Sequence, residues 1–192
     1  MKIILASKSG VRKKILDQNN IENQVIESNV NEDEVKVSLI AEGASPMLIS
    51  KNLAELKANK VSSKAPDQIV LGADSVIDLG GELISKPKSR DEAFEILKKL
   101  NGKNHQLISS VCISKNGSMI WNYTDVSNLT MKQLNLDEIK VYLKKVDDRK
   151  LYAYGVYQIE AGGRDLFSKI EGDEDSIMGL PVKKIKEYLS NF

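Results

Sequence analysis

A short basic loop near the N-terminus holds the first candidate ligand-binding residues. Ser7 and Ser9 precede Gly10, Val11 and Arg12, and two lysines follow. An apolar run stands before this loop and a helical pattern after it, so free backbone N–H groups and the positive end of a helix dipole are expected here. The arginine can add charge-assisted hydrogen bonds to an anion. The loop is therefore a candidate phosphate site, although a solvated basic first turn fits equally well and the glycine spacing of a P-loop or dinucleotide site is missing.

Carboxylates form the second candidate group. Asp74 follows an apolar run that we predict to be a strand ending at 72–74, and ligands of open α/β sheets bind beyond such strand ends. This aspartate could bind a metal or act as a general base, and the alternative is a turn-forming residue. Glu32, Asp33 and Glu34 could supply a second ligand for a hard cation, or could simply form a solvated loop.

Other reactive side chains carry weaker signals. Lys57 in a helical pattern and Lys86 before a proline are each interpreted as surface lysines. His105 is interpreted as a packing or turn residue. Three tyrosines are expected to pack and not to stack on a base: Tyr152, Tyr154 and Tyr157. The residues alone thus predict a phosphorylated ligand with Mg²⁺ and no more definite reaction.

Along the chain, short apolar runs alternate with helical patterns. Strands are predicted at 2–6, 24–27, 69–71, 76–79 and 82–84. Hairpin turns are predicted at Gly80-Gly81 and around Asn116-Gly117. The alternation predicts a mixed α/β fold, and no repeat or linker divides the chain, so residues 1–192 are predicted to be a single domain.

Helices are predicted between these strands. The first covers 11–19, a second starts at Ser45-Pro46, a third starts at Ser89, and a fourth and a fifth lie near Ile139 and after Pro181. Three apolar residues should face inward on the second helix: Ile49, Leu53 and Leu56. Ser89 and Glu92 have the spacing of a capping box, and Gly102 can end that helix.

Composition excludes several classes of protein. Of the 192 residues, 41% are hydrophobic and 29% are charged, which is ordinary for a folded globular chain. Lysine and arginine number 28 against 27 acidic residues, and the resulting net charge of +1 argues against stable nucleic-acid binding.

The numbers of cysteines and histidines limit the type of metal site, and the lengths of the apolar runs bear on the cellular location. Cys112 is the only cysteine and His105 the only histidine, so an internal disulfide and zinc sites built on paired ligands are excluded. A metal should then be a hard cation held by carboxylates. No apolar run has the length of a signal-peptide core or a membrane span, which predicts a cytoplasmic protein with no membrane partner.

Taken in order, several segments resemble the Maf family of nucleoside triphosphate pyrophosphatases. The matching segments are 5–9 with Arg12, Val30 with Glu32, 53–54 with 57–58, 72–75, 86–87, 100–102 with His105, 155–160 and 179–181. These segments extend over nearly the whole chain, and they share the order and spacing found in the family.

The resemblance implies a fold, a reaction and a set of roles. The fold is a mixed twisted sheet in two lobes around a deep nucleotide-binding cleft, and the protein is a homodimer. The reaction is hydrolysis of a nucleoside triphosphate to the monophosphate and pyrophosphate with a divalent cation, Mg²⁺ or Mn²⁺. Asp74 takes the position of the base that activates water for attack at the α-phosphorus, and Glu32 joins Asp74 around the metal. The positions that bind the triphosphate are matched by Ser7, Ser9, Arg12, Lys57 and Lys86.

Three positions bear on which base is accepted. In the resembling family, the branch that hydrolyses dTTP and UTP has Arg, Thr and Gln at three positions. This chain has Val11, Ser75 and Glu160 at those positions. The branch that acts on 7-methyl-GTP has Glu at the last position, as here, but differs at the other two. A carboxylate beside the base would favour a cationic methylated purine, and the mixed signature leaves the base specificity open. Gly10 and Val11 also replace the Pro and first Arg of the family's Ser-Pro-Arg-Arg loop, which predicts a missing contact.

Two other functions stay open at the level of the sequence. The chain could be a nucleotide-binding regulator of cell division, because the family is also linked to arrest of septum formation. It could also be a nucleotidyl transferase, which would release pyrophosphate only when an acceptor is present.

Overall fold

The computed structural model describes residues 2–159 and 162–191. In these residues seven strands form one mixed sheet: β1 (Ile3–Ala6), β2 (Asn23–Val25), β3 (Val70–Leu79), β4 (Glu82–Ile84), β5 (Asn104–Lys115), β6 (Ser118–Met131) and β7 (Phe167–Glu171). The strand order is β2-β1-β3-β5-β6-β7, and β4 pairs with β3. The pairs β1–β2 and β1–β3 are parallel, whereas the other pairs are antiparallel.

The same residues contain eight α-helices and a 3₁₀ helix at Gly163–Leu166. The α-helices are α1 (Gly10–Gln18), α2 (Glu32–Ala41), α3 (Pro46–Ser62), α4 (Arg90–Leu100), α5 (Leu136–Lys145), α6 (Asp148–Tyr154), α7 (Glu174–Ile177) and α8 (Val182–Leu189). None of these helices combines the length and the apolar character needed to cross a bilayer.

A gap in strand pairing marks the middle of the sheet. β1 pairs with β3 only as far as Gly72, and β4 pairs with the same edge of β3 from Ile77 onward. On its other edge β3 pairs with β5 without interruption from Val70 to Asp78. Among the described residues, positions 73–76 therefore have a strand on one side only, and their other edge is open to ligands.

The predicted end of a strand at 72–74 is wrong, because β3 continues through these residues. Gly72 does not mark a turn but a close approach of α3, since a Cβ there would lie 2.2 Å from the Ala54 carbonyl oxygen. The long pairing with β5 holds the strand extended after β1 has ended. Asp74 is thus a mid-strand residue, although it lies just beyond the last residue that pairs with the parallel strand β1.

The acidic segment 31–34 is the start of a helix and not a loop. Asn31 caps α2 by accepting a hydrogen bond from the Glu34 N–H, and acidic residues fill the first turn, where they favour the helix dipole. No residue of α2 is buried, so the helix has no apolar stripe that the sequence could reveal.

The other predicted helices are present, with two corrections of detail. Ser45 caps α3 and Pro46 is its first residue, but Leu56 is exposed, whereas Ile49 and Leu53 are buried. Ser89 accepts from the Glu92 N–H as predicted. The Glu92 carboxylate instead accepts from the Lys88 N–H, so the capping box is incomplete.

Two large hydrophobic clusters lie at opposite ends of the sheet. One joins β1, α1, β3, β5 and α8 and includes Leu5, Leu16, Leu71, Ile113 and Ile185. The other joins α4, α5, β6 and β7 and includes Leu97, Leu100, Leu129, Leu143 and Phe167. Each cluster forms the core of one lobe, which confirms the predicted mixed α/β fold with two lobes and a cleft between them.

Candidate active site

A cavity of about 380 Å³ lies between the two lobes, beside the open edge of β3. This volume is in the range of small-molecule sites. Its walls come from the loop before α1, the first turn of α2, α3, the middle of β3, the segment after β4 and residues 152–159.

Two carboxylates share one buried ammonium in this cavity. Lys57 Nζ lies 2.8 Å from Asp74 Oδ1 and 2.8 Å from Glu32 Oε1. Asp74 is 4% exposed and Lys57 5% exposed, so the predicted surface position of Lys57 is wrong. The lysine is buried because its two partners approach from β3 and α2, far away in sequence. Asp74 Oδ2 is buried and has no hydrogen-bond partner among the described residues.

The charges of this cluster shift its titration. Burial alone would raise the pKa of Glu32, but the Lys57 charge and hydrogen bond, together with the charges of Lys86 and Lys36, lower it below its usual value. Glu32 is therefore ionised at neutral pH. Asp33 and Glu34 point elsewhere: Asp33 pairs with Lys88 at the surface, and Glu34 accepts from Asn31.

The basic loop forms another wall. Ser9 caps α1 by accepting from the Arg12 N–H at 3.3 Å, and Ser7 Oγ accepts from the Ser9 N–H at 3.1 Å. Arg12 donates from Nη1 to the Ala73 carbonyl and from Nε to the Gly179 carbonyl, each at 2.9 Å. The guanidinium thus satisfies the open edge of β3 and ties the loop to the segment before α8.

Cations outnumber anions around the cavity. Of the described lining residues, Lys8, Arg12, Lys36, Lys57 and Lys86 are cationic, and Glu32 and Asp74 are anionic. Loss of water around the Lys86 ammonium lowers its pKa, and the charge of Glu32 opposes this effect. Such an excess of positive charge suits a polyanionic ligand. Within residues 2–159 and 162–191 no group of three or more His, Cys, Asp or Glu side chains is placed to hold a metal ion.

Two of the three predicted specificity positions line the cavity. Val11 also packs against the hydrophobic cluster that contains Leu5 and Leu16, and Ser75 follows Asp74 on β3. Glu160 lies outside the described residues. Segment 152–159 lines the same cavity. The family resemblance covers only its part from residue 155 onward, and no other sequence pattern predicts a ligand-binding role for this segment.

The histidine and the three tyrosines of this region differ in burial. His105 is buried, and its Nε2 lies 2.8 Å from the Tyr157 hydroxyl, so the prediction of a packing role is confirmed. Burial lowers the pKa of His105 to about 4. All three tyrosines line the cavity. Tyr157 is buried and packs on Phe167, whereas Tyr152 and Tyr154 are exposed, contrary to the packing prediction.

Comparisons with known proteins show to which family the chain belongs. A nucleoside triphosphate pyrophosphatase of Pelagibacter ubique is 71% identical to it over 97% of this chain and 96% of that protein. A 7-methyl-GTP pyrophosphatase of Brucella abortus biovar 1 is 37% identical over 95% of this chain and 92% of that protein. Among solved structures, a HAM1 protein from Coxiella burnetii overlaps 70% of this chain and 74% of its own, with a TM-score of 0.43 and 13% identity. The sequence model described as Maf-like protein matches residues 2–192, and the chain therefore belongs to the Maf-like protein family.

Proposed function

We propose that this protein hydrolyses nucleoside triphosphates to the nucleoside monophosphate and pyrophosphate. The observation that carries the proposal is the Glu32–Lys57–Asp74 cluster inside a cavity whose described charged lining residues are mostly cationic. The names of the relatives agree with this reaction and favour it over a regulator without catalysis. Phosphoryl transfer needs positioning and charge neutralisation more than covalent chemistry, and the cavity offers both.

Asp74 is the proposed base. Its Oδ2 has no partner among the described residues and is able to take a proton from water. The water oxygen then bonds to the α-phosphorus, the bond from that phosphorus to the bridging oxygen breaks, and pyrophosphate leaves with the bonding electron pair. The proton stays on the carboxylate until solvent removes it.

Glu32 and Asp74 fit a hard divalent cation, Mg²⁺ or Mn²⁺. Both offer carboxylate oxygens, these oxygens converge on the point that the Lys57 ammonium occupies, and Asp74 keeps an unpartnered oxygen. Two carboxylates suffice when triphosphate oxygens and water complete the coordination. When bound, the cation would supply Lewis-acid stabilisation of charge on the phosphate oxygens.

The remaining site residues are proposed to hold the triphosphate. Ser7 and Ser9 stand at the N-terminus of α1, where backbone N–H groups favour an anion. Lys86 contributes a cation from the segment after β4. Arg12 has most of its donors committed to the protein, so its proposed contribution is charge and loop position as much as direct contact.

The proposal includes the setting of the reaction. Residues 1–192 act as one domain, in a homodimer, in the cytoplasm, without stable binding to nucleic acid or membrane. The near-neutral net charge and the single cysteine support this setting. The homodimer rests on the family resemblance.

Pyrophosphate release tests the proposal. Purified protein is assayed with Mg²⁺ or Mn²⁺ and a panel of common and methylated nucleoside triphosphates, with the metal removed by chelator in parallel. We expect metal-dependent release without any acceptor molecule. Release that requires an acceptor would identify a transferase, and silence with every substrate alongside nucleotide-dependent thermal stabilisation would identify a binding protein.

A further inference from the structure

A chain of hydrogen bonds runs from the cavity wall into the protein behind it. Arg12 Nη2 donates to Ser75 Oγ at 3.1 Å, and Ser75 Oγ lies 3.0 Å from Ser109 Oγ. Ser109 Oγ donates to the Ser176 carbonyl oxygen at 2.7 Å. Ser75 is half-buried and lines the cavity, whereas Ser109, its cross-strand neighbour on β5, is 1% exposed.

The two ends of this chain fix the direction of every hydrogen bond in it. A guanidinium can only donate and a carbonyl can only accept. Ser109 has one hydroxyl hydrogen, which is committed to Ser176, so Ser109 must accept from Ser75. The Ser75 hydrogen therefore points at Ser109, and one lone pair of Ser75 Oγ accepts from Arg12. The second lone pair of Ser75 Oγ is the only hydrogen-bonding capacity that its contacts with the described residues leave free.

We propose that Ser109 is a positioning residue for substrate selection, which holds the Ser75 hydroxyl as a pure acceptor toward the bound nucleotide. The inference rests on the proposed function, in which the cavity holds the substrate. The nucleotide group accepted at Ser75 is then an N–H or O–H donor. A base edge that brings a carbonyl oxygen or a ring-nitrogen lone pair to this point is disfavoured, because two acceptors would face each other without a hydrogen.

The surrounding backbone keeps the chain rigid. The segment from Ser176 to Gly179 is tied at both ends, since the Ser176 carbonyl accepts from Ser109 and the Gly179 carbonyl accepts from Arg12 Nε. Gly179 has a φ of 104°, and a Cβ there would lie 3.2 Å from Ser75 Oγ. A glycine at this position thus leaves space beside the Ser75 hydroxyl that a larger side chain would take.

The test uses two pairs of substrates that exchange a donor for an acceptor at constant size. UTP and ITP carry a ring N–H beside a carbonyl, and CTP and ATP carry a ring nitrogen beside an amino group. In Ser109→Ala the Ser75 hydrogen loses its acceptor and is free to turn to the base. We expect the larger of the two wild-type preference ratios in kcat/KM to move toward unity by roughly tenfold, about the effect of one hydrogen bond.

Matched variants separate this role from a structural one. Ser110→Ala removes the next hydroxyl along β5, which bonds to Thr124 instead, and should leave both ratios unchanged. Ser75→Ala should reduce the ratios as Ser109→Ala does, and the double variant should reduce them no further. Equal loss for all four substrates in Ser109→Ala, or unchanged ratios in Ser75→Ala, would overturn the proposal.

A binding measurement keeps the test independent of turnover. Thermal stabilisation of each variant by the four nucleotides reports the same ratios as affinities. If the wild type released no pyrophosphate, the proposed function would fail, but a change of affinity ratios in Ser109→Ala would still support the role of Ser109. Unchanged affinity ratios in that variant would contradict it.

Discussion

At the scale of single residues, the cluster around Lys57 determines what the cavity can do. Its ammonium holds two carboxylates at 2.8 Å each while one oxygen of Asp74 stays without a partner among the described residues. Replacing Asp74 by Asn keeps the size of the side chain and removes its charge and basicity. We expect kcat/KM to fall roughly a thousandfold, with the protein still folded by circular dichroism.

The neighbouring carboxylate Asp33 offers a control for that variant. It lies next to Glu32 but pairs with Lys88 at the surface. Asp33→Asn should keep kcat/KM within about twofold of the wild type, because exposed ion pairs contribute little. If Asp74→Asn retained wild-type turnover, Asp74 would not be the base.

The position of Lys57 also determines how tightly we expect the site to bind a divalent cation. The ammonium occupies the point where both carboxylates converge, and the lining residues described here already carry an excess of positive charge. We expect little Mn²⁺ binding without nucleotide, and at least roughly tenfold tighter binding in Lys57→Met, because one competing charge is removed. Electron paramagnetic resonance of free Mn²⁺ measures this directly.

Lys51→Met is the matched control for the metal measurement, since Lys51 is an exposed residue of the same helix. It should bind Mn²⁺ as the wild type does. Equal Mn²⁺ affinity in Lys57→Met and in the wild type would show that the ammonium does not compete with the cation.

At the scale of elements, the contact between α3 and β3 places Lys57 beside Asp74. This contact depends on Gly72, where a Cβ would lie 2.2 Å from the Ala54 carbonyl oxygen and 2.7 Å from the Ala58 nitrogen. Both neighbours are backbone atoms and cannot rotate away. Gly72→Ala should therefore lower the free energy of unfolding by at least about 2 kcal/mol in a urea titration.

Gly10→Ala tests the same reasoning in the opposite direction. Gly10 begins α1 without a positive φ, and a new Cβ there would lie 3.8 Å from the Tyr154 hydroxyl. The free energy of unfolding should stay unchanged or rise by up to about 1 kcal/mol. Similar losses in both glycine variants would refute the assigned contact between α3 and β3.

The elements also show which parts of the fold the sequence could predict. The hairpins at Gly80-Gly81 and Asn116-Gly117 are confirmed, because each pair adopts the positive φ values that these residue types favour locally. The continuity of β3 through Asp74 could not be predicted, since it depends on pairing with β5 about forty residues later. α2 has no buried residue, so nothing in its periodicity marked it.

The same limit applies to the candidate site. The loop around Ser9 and the strand before Asp74 could be recognised locally as places where ligands bind. The burial of Lys57 could not, because its partners come from α2 and β3 and meet only in the folded chain. Ser109 has no motif at all, and only the direction of its hydrogen bonds gives it a role.

At the scale of the whole molecule, the single histidine gives the fold a defined pH dependence. His105 is buried against Tyr157 and Phe167, which lowers its pKa to about 4 from an ordinary 6.5. The unfolded chain therefore binds the proton first as pH falls. The stability that the neutral, buried His105 gives the fold is fully present above about pH 6.5. As pH drops toward 4, the free energy of unfolding falls by roughly 3 kcal/mol.

His105→Gln removes this titration. The difference in unfolding free energy between wild type and variant should shrink or reverse by roughly 3 kcal/mol between pH 7 and pH 4, as followed by urea titrations. One histidine also gives one set of imidazole resonances, so NMR can measure the pKa directly. An NMR pKa near 6.5 in the folded protein would contradict the assigned burial.

The proposed reaction is attack of water on the α-phosphorus of a nucleoside triphosphate in the cleft between the two lobes. Hydrolysis in ¹⁸O-labelled water, followed by mass spectrometry of both products, tests it most directly. We expect the label to appear in the nucleoside monophosphate and pyrophosphate to stay unlabelled. Label in pyrophosphate would mean attack at the β-phosphorus and would contradict the assigned reaction.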